Sequence, residues 1–421
     1  MSETDQRPAL VVYTHVFPNS AQPTYGVFVR ERMFRVARSL PVTVVAPVPW
    51  FPGQGLIRRF RPHYRPPVPY KEVQQGIEVY HPRFLSIPRF FKFADGLLEG
   101  LCTLPLLRRL KRAGRLDILD AHFVHPDGVA AWVQARLLKV PYTITLRGTI
   151  VRVSRTRARR WLATRAMKGA ASVFSVAKSL KDCAISMGVA PDHVQVVPNG
   201  INLKLFHPEP RSACREALGI APDAPVLITV GTLNERKGFH RVIGQLPRLL
   251  TRHPDLIYLL VGGEHPDGDE RRLRDLARDL GVEHNVRFIG RQPPERLRHY
   301  YSAADLFVLP TRFEGWANVF LEAAACGLPT ITTTVGGNAE VINSTRLGIL
   351  IPYGDDSALG SAILDALGQH WDRDLIKCYA AENAWEERIP LLLAAFQAVN
   401  NGEEKAPRPA LQPPVRHQDG D

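Results

Sequence analysis

The chain reads first as a series of short, unbroken apolar runs. Ala9-Leu-Val-Val-Tyr13 and Val42-Thr-Val-Val-Ala46 flank a helical spacing of apolar positions from about Phe28 to Ser39. Ile118-Leu119, Tyr142-Thr-Ile-Thr-Leu146, Ser172-Val-Phe-Ser-Val176 and Val194-Gln-Val-Val197 follow, most of them separated by helical stretches. Runs this short, without polar alternation, suit strands of a parallel sheet covered on both faces. Their order predicts a doubly wound α/β domain in the first half.

A second series begins at Pro225-Val-Leu-Ile-Thr-Val230. It continues with Leu256–Val261, Val286–Ile289, Leu306–Leu309, Thr330–Thr333 and Gly348–Ile351. These runs, with helical spacers between them, predict a second Rossmann-like domain. Val197-Pro-Asn-Gly-Ile-Asn202 with Pro208 and Pro210 reads as the linker, which puts the first domain at residues 1–203 and the second at 204–383. Residues 49–71, rich in Pro and Arg, read as a long irregular excursion. The polar, Pro-rich stretch 403–421 is expected to be a disordered tail. Two such domains leave a cleft, and ligands of open α/β sheets sit outside the carboxyl ends of strands. The loops that follow strands therefore carry the chemistry.

Composition narrows the class. The 421 residues are 45% hydrophobic and 23% charged, as in a globular enzyme. The five cysteines, Cys102, Cys183, Cys214, Cys326 and Cys378, are scattered, which argues against a disulfide framework or a zinc site and fits a reducing cytosol. No run approaches the ~18 apolar residues of a membrane span. Gly96–Leu107 comes nearest, and Glu99 and Pro105 interrupt it. The opening MSETDQRPAL does not read as a signal peptide, so a cytoplasmic protein is expected. The net charge of +13 is uneven: residues 1–200 hold 30 Lys+Arg against 12 Asp+Glu. A basic half of this kind points to an anionic surface or polyanion. Nucleic acid is excluded as the expected partner, because no helix-turn-helix, RNA-recognition or zinc signature accompanies the charge.

The most informative stretch is Glu314-Gly-Trp-Ala-Asn-Val-Phe-Leu-Glu322. Gly315 allows close backbone approach, and a helix start here would aim the amides of Trp316, Ala317, Asn318, Val319 and Phe320 at an anion. Glu314 can accept hydrogen bonds from sugar hydroxyls, and Glu322, inside the helix, from a ribose diol. Alone, such a pair is as well read as a capped surface helix. The loop Val230-Gly-Thr-Leu-Asn-Glu-Arg-Lys-Gly238 changes the weighting, since it brings Arg236 and Lys237 to the same sheet edge. Two cations there can neutralise a departing diphosphate.

With these pieces the second half resembles the donor domain of glycosyltransferase family 4, retaining enzymes of the GT-B fold. The matching segments are VPNGIN (197–202), VGTLNERKG (230–238), NVRFIG (285–290), AADLFVLPTRFEGWANVFLEAAACGLPTI (303–331) and GGNAEVI (336–342). The resemblance implies a nucleotide-sugar donor, no cofactor and no metal. It assigns Glu314 to the donor sugar, Glu322 to the ribose and Lys237 to the diphosphate. It also implies that the last helix, around Trp385–Val399 within 384–402, returns to the first domain. In the first half, PTYGVFVRER (23–32) sits where the family has its glycine-rich loop, with Gly26 facing the donor phosphate, and HFVHPDG (122–128) resembles the stretch leading into the cleft. The PTYGVFVRE form is similar to that of enzymes building teichuronic-acid-type surface polysaccharides. A glycan or polyprenyl-linked acceptor in the cell envelope is therefore expected.

Two positions depart from the family. Arg147-Gly148 stands where His-Gly is usual, so Arg147 is the candidate contact to the donor sugar. Thr232 stands where an arginine often follows the glycine, and Arg236 is the candidate for the missing charge. Asp267-Gly-Asp269 copies a metal-binding D-x-D only superficially. The segment Val151–Lys168 carries six arginines and a lysine around Val153, Trp161, Leu162 and Met167. It suits either an anionic leaflet at the inner membrane face or a solvated helix with a core-facing stripe. A nucleotide-sugar epimerase or a phosphorylase on the same fold is the rival reading.

Overall fold

Every residue of Leu10–Tyr13, Ile118–His122 and Tyr142–Leu146 is buried, because helices cover both faces of the sheet these segments form. The computed structural model describes residues 7–61, 64–88, 90–263 and 269–403. Its first sheet has eight strands. In chain order the first half contains β1 (Leu10–Tyr13), β2 (Val42–Val45), β3 (Val48–Trp50), β4 (Lys71–Gln74), β5 (Ile77–Tyr80), β6 (Arg83–Leu85), β7 (Ile118–His122), β8 (Tyr142–Leu146), β9 (Ser172–Ser175) and β10 (Val194–Val196). The sheet order is β10-β9-β8-β7-β1-β2-β5-β4, and β3 pairs separately with β6. All pairings are parallel except the β4–β5 hairpin at one edge.

The second sheet is wholly parallel, with order β13-β12-β11-β14-β15-β16. Its strands are β11 (Val226–Val230), β12 (Ile257–Val261), β13 (Val286–Gly290), β14 (Leu306–Leu309), β15 (Thr330–Thr333) and β16 (Gly348–Ile351). The apolar runs read from the sequence are therefore the strands, and the class is α/β with two Rossmann-like units. The irregular reading of 49–71 needs correction. The described part holds β3 and a helix, Gln54–Phe60, of which only Gln54 is buried. With no apolar face on the core, that helix leaves no periodicity to read. The tail beyond 403 and Asp267 of the D-x-D sequence lie outside the described residues.

The chain passes between the sheets at two adjacent points. Ile201 N–H donates to the Asn383 carbonyl at 3.0 Å, and Trp385 N–H to that of Ile201 at 3.2 Å. Helix Trp385–Asn400 then packs on helix Val27–Val36 of the first unit, burying Leu392, Ala395, Phe396 and Val399 with Leu10, Met33 and Phe174.

Candidate functional site

In each sheet the strand order reverses once. In the second, β11 leads to β12 and β13 on one side, then the chain returns to β14 on the other. The crevice between the carboxyl ends of β11 and β14 is where open sheets of this kind take ligands. The loop after β11 carries Arg236 and Lys237; the loop after β14 carries Glu314. They meet there.

Glu314 is 8% exposed. Its Oε1 lies 2.7 Å from Lys237 Nζ and 2.8 Å from Arg236 Nη1, and the Thr311 hydroxyl is 3.4 Å away. Arg236 Nη1 also donates to the Phe313 carbonyl at 2.6 Å. Asn234 shapes the cation loop by accepting from the Lys237 amide at 3.2 Å. Lys237 is largely covered, whereas the Arg236 side chain is 44% exposed and reaches in from the rim.

Helix Asn318–Ala325 begins immediately after this loop, and no side chain caps it. Phe320 N–H is taken by the Ala317 carbonyl at 3.2 Å, so the expectation of a free amide there is corrected. Among the described residues, Trp316, Ala317, Asn318 and Val319 have no hydrogen bond from their amides. The indole N–H of Trp316 is buried and also lacks an acceptor. Four backbone donors and an indole donor at a helix start, beside a lysine and an arginine, form an electropositive cradle suited to an oxyanion. Asn318 Oδ1 accepts from Asn199 Nδ2 of the linker at 3.1 Å, which ties the helix start to the crossover.

Glu322 lies one turn further in. Tyr301 O–H donates to its Oε2 at 3.0 Å. Burial pushes its carboxyl up to about 7, against the opposing pull of the Tyr301 hydrogen bond and the Lys237 charge. A carboxyl poised there accepts hydrogen bonds from vicinal hydroxyls readily in its ionised form. Sequence reasoning missed Tyr301, which lies on a neighbouring helix with nothing local to flag it.

The first unit approaches the same place. A Cβ built on Gly315 would stand 2.8 Å from the Cα of Gly148, so the loops after β14 and β8 touch backbone to backbone. Gly26 has φ +77°, and a Cβ there would lie 2.4 Å from the Val16 carbonyl oxygen; it opens helix Val27–Val36. Arg147 is held by residues of the first unit. Its guanidinium is buried over the ring of Phe28, 4.5 Å from the centroid, with Nη2 3.2 Å from His122 Nδ1. Burial lowers its pKa well below the usual value, with Arg32 adding to the effect. Its neighbour Gly148 makes the contact with Gly315 across the cleft.

Three further contacts span the cleft or line it. Arg291 Nη1 donates to the Thr24 hydroxyl at 2.5 Å. Glu340 accepts from the amides of Lys178 and Ser179, at 2.5 and 2.8 Å, and so caps helix Lys178–Ser186 of the opposite unit. His15, at the end of β1, is bonded to buried Asp127. None of these was legible from its neighbours in sequence.

Residues 42–205 match the family profile Glycosyltransferase Family 4, and residues 210–383 match Glycosyl transferases group 1. TuaC of Bacillus subtilis (strain 168), a glycosyltransferase provisionally assigned to teichuronic acid biosynthesis, is 27% identical over 93% of this chain and 95% of its own. An uncharacterised glycosyltransferase of Methanocaldococcus jannaschii is 30% identical over 78% of this chain and 88% of its own. The crystal structure of Anabaena HepE in complex with UDP-glucose superposes with a TM-score of 0.62 at 17% identity, covering 94% of this chain and 97% of that one.

Proposed function

The chain belongs to the glycosyltransferases, with a family 4 first half and a group 1 second half on a GT-B fold, and from that premise we propose a retaining, metal-independent hexosyltransferase. Its donor is a nucleotide sugar, and its acceptor a cell-envelope glycan carried on a polyprenyl lipid. The observation that carries this reading is Glu314 held within 2.8 Å of both Lys237 and Arg236, beside a helix start with free amides.

The chemistry follows from those groups. The donor diphosphate lies against the amides of Trp316–Val319, with Lys237 and Arg236 supplying positive charge. As the sugar–phosphate bond breaks, these fixed donors stabilise the charge growing on the leaving oxygen and need little reorganisation. Two cations and a helix terminus fill the role a divalent metal plays elsewhere. Glu314 orients the sugar by its hydroxyls, Glu322 with Tyr301 takes the ribose, and Gly26 brings the opposite helix start towards the phosphate. The acceptor hydroxyl attacks from the face the diphosphate leaves, which retains the anomeric configuration. HepE binds UDP-glucose on a similar fold, and this supports a nucleotide-sugar donor. Similarity to TuaC over nearly the whole chain supports the envelope acceptor.

The described residues contain no helix long and apolar enough to cross a membrane. A peripheral contact at the inner membrane face is supported by helix Arg157–Gly169. It buries Leu162, Ala163, Ala166 and Met167 while exposing Arg157, Arg160, Arg165, Lys168 and Trp161. Phe60, Phe90 and Phe91 of the same unit are also exposed, at 82%, 65% and 68%.

The test is a transfer assay with a panel of nucleotide sugars and a polyprenyl-diphosphate-linked glycan, in the presence of EDTA. The product's anomeric coupling is read by NMR. The expected product keeps the donor's anomeric configuration, and EDTA makes no difference. An inverted linkage or a metal requirement would overturn the proposed chemistry, and donor alone yielding a different sugar would mark an epimerase.

A further inference from the structure

The first sheet has its own reversal point, between β1 and β7. At the carboxyl ends of those strands stand His15, two residues past β1, and Asp127, five past β7. They straddle the crevice of the first unit as Lys237 and Glu314 straddle that of the second. We propose that His15, oriented by Asp127, receives the acceptor: its Nε2 accepts a hydrogen bond from the attacking hydroxyl and fixes that oxygen's position. This rests on the transferase reading above and adds a site to it.

The geometry specifies the imidazole completely. Asp127 Oδ1 and Oδ2 lie 2.8 and 3.0 Å from His15 Nδ1, and the His15 amide donates to Oδ1 at 3.0 Å. Asp127 is fully buried, so the ring proton sits on Nδ1, facing the carboxylate. Nε2 is then left with its lone pair, on a side chain that is 25% exposed. Burial also lowers the pKa of His15, which keeps the ring neutral and Nε2 an acceptor.

A second buried carboxyl completes the arrangement. Neither oxygen of Glu99 meets a hydrogen-bond donor among the described residues, and its side chain is fully buried. Burial, and next the charge of Asp127, push its pKa well up. Burial pushes the Asp127 carboxyl up as well, but the hydrogen bond from the His15 amide opposes it, whereas the charge of Asp127 pushes Glu99 further up. Glu99 is therefore the carboxyl that holds a proton, and Asp127 the one that faces the ring as an anion.

A series of contacts leads from His15 to the donor loop. The His15 ring packs on Phe123 at 5.4 Å between centroids. Phe123 and Phe28 enclose Arg147, and the next residue, Gly148, touches Gly315. Gly26, in the loop that His15 begins, lies against Val16. Phe123, Arg147 and Gly148 thus form a chain of contacts from His15 to the donor loop.

The test uses His15→Gln, His15→Ala and Asp127→Asn in the full chain, with the nucleotide sugar that wild type binds and a panel of alkyl glycosides as probe acceptors. Three quantities are read: donor affinity by calorimetry, donor hydrolysis without acceptor, and transfer. Misplacing a reacting atom costs about 100-fold, so transfer should fall by that order in both His15 variants. Donor affinity and acceptor-free hydrolysis should stay within about twofold, with the loss showing in acceptor KM and kcat. Asp127→Asn should fall similarly and move the His15 proton to Nε2 in the ¹⁵N imidazole spectrum. Wild-type transfer rates in His15→Gln, with donor binding intact, would overturn the role of His15 alone. Failure of wild type to bind any nucleotide sugar would bring down the donor reading and this one together.

Discussion

Glu314 and Lys237 were legible as residues because each lies in a loop directly after an apolar run. A parallel sheet brings all such loops to one edge. Glu322 was legible from its spacing along one helix. His15 and Asp127 were not, since 112 positions separate them and only the order of β1 and β7 makes them neighbours. Glu99 looked like an interruption of an apolar helix, which it is, and its purpose emerges only beside Asp127. Glu322 yields a prediction at this scale. Its folded pKa of about 7 stands above the usual 4.5. The folded chain therefore holds a proton that the unfolded chain has lost between those values. This group's contribution is fully present below pH 4.5, declines as pH rises towards 7, and is a constant penalty above that. Glu322→Gln, whose carbonyl still accepts from Tyr301, should gain roughly 1–2 kcal/mol over wild type at pH 8 and nearly nothing at pH 4.5. Urea unfolding at the two pH values measures it; an equal difference at both would contradict the assignment.

Elements were legible where burial was complete on both sides. The central strands of both sheets are continuous apolar runs because water touches neither face. The β4–β5 hairpin was not found, since Lys71-Glu-Val-Gln74 lies at a sheet edge with alternate residues exposed and contributes little apolar surface. Helix Arg157–Gly169 shows how one element admits two readings. Its stripe of Leu162, Ala163, Ala166 and Met167 is core, and its other face still presents Arg157, Arg160, Arg165, Lys168 and Trp161 to solvent. The core-facing stripe of the sequence reading is present, and the basic face is exposed. If the basic face meets anionic lipid, each cation near the surface contributes about 1 kcal/mol. Arg157→Glu with Arg160→Glu and Arg165→Glu should then abolish co-sedimentation with phosphatidylglycerol vesicles and leave donor affinity unchanged. Undiminished sedimentation of the triple variant would refute the contact.

On the scale of the whole molecule, sequence could supply two domains but not their mutual arrangement. That arrangement depends on contacts between residues far apart in the chain. Glu340 caps a helix of the opposite unit, Arg291 reaches Thr24, and Gly148 lies against Gly315. Together they describe a cleft with its walls in contact at the donor loop. A lost helix cap costs about 1 kcal/mol, so Glu340→Ala should lower the ratio of units in contact to units apart roughly fivefold. Small-angle scattering should then report a larger radius of gyration, and donor should bind severalfold more weakly; an unchanged profile would show that Glu340 does not hold the units together.

The central claim is that one crevice, built by the loops after β11 and β14, binds a sugar diphosphate through backbone amides and two cations. Calorimetric titration of nucleotide sugars into wild type, Lys237→Ala and Arg236→Ala tests it most directly. The account predicts one-to-one binding of at least one donor to wild type. That binding should weaken about tenfold or more without Lys237, since hydrogen bonds to charged groups contribute roughly 1.5–3 kcal/mol, and by less without the more exposed Arg236. Equal affinity in all three proteins would contradict it.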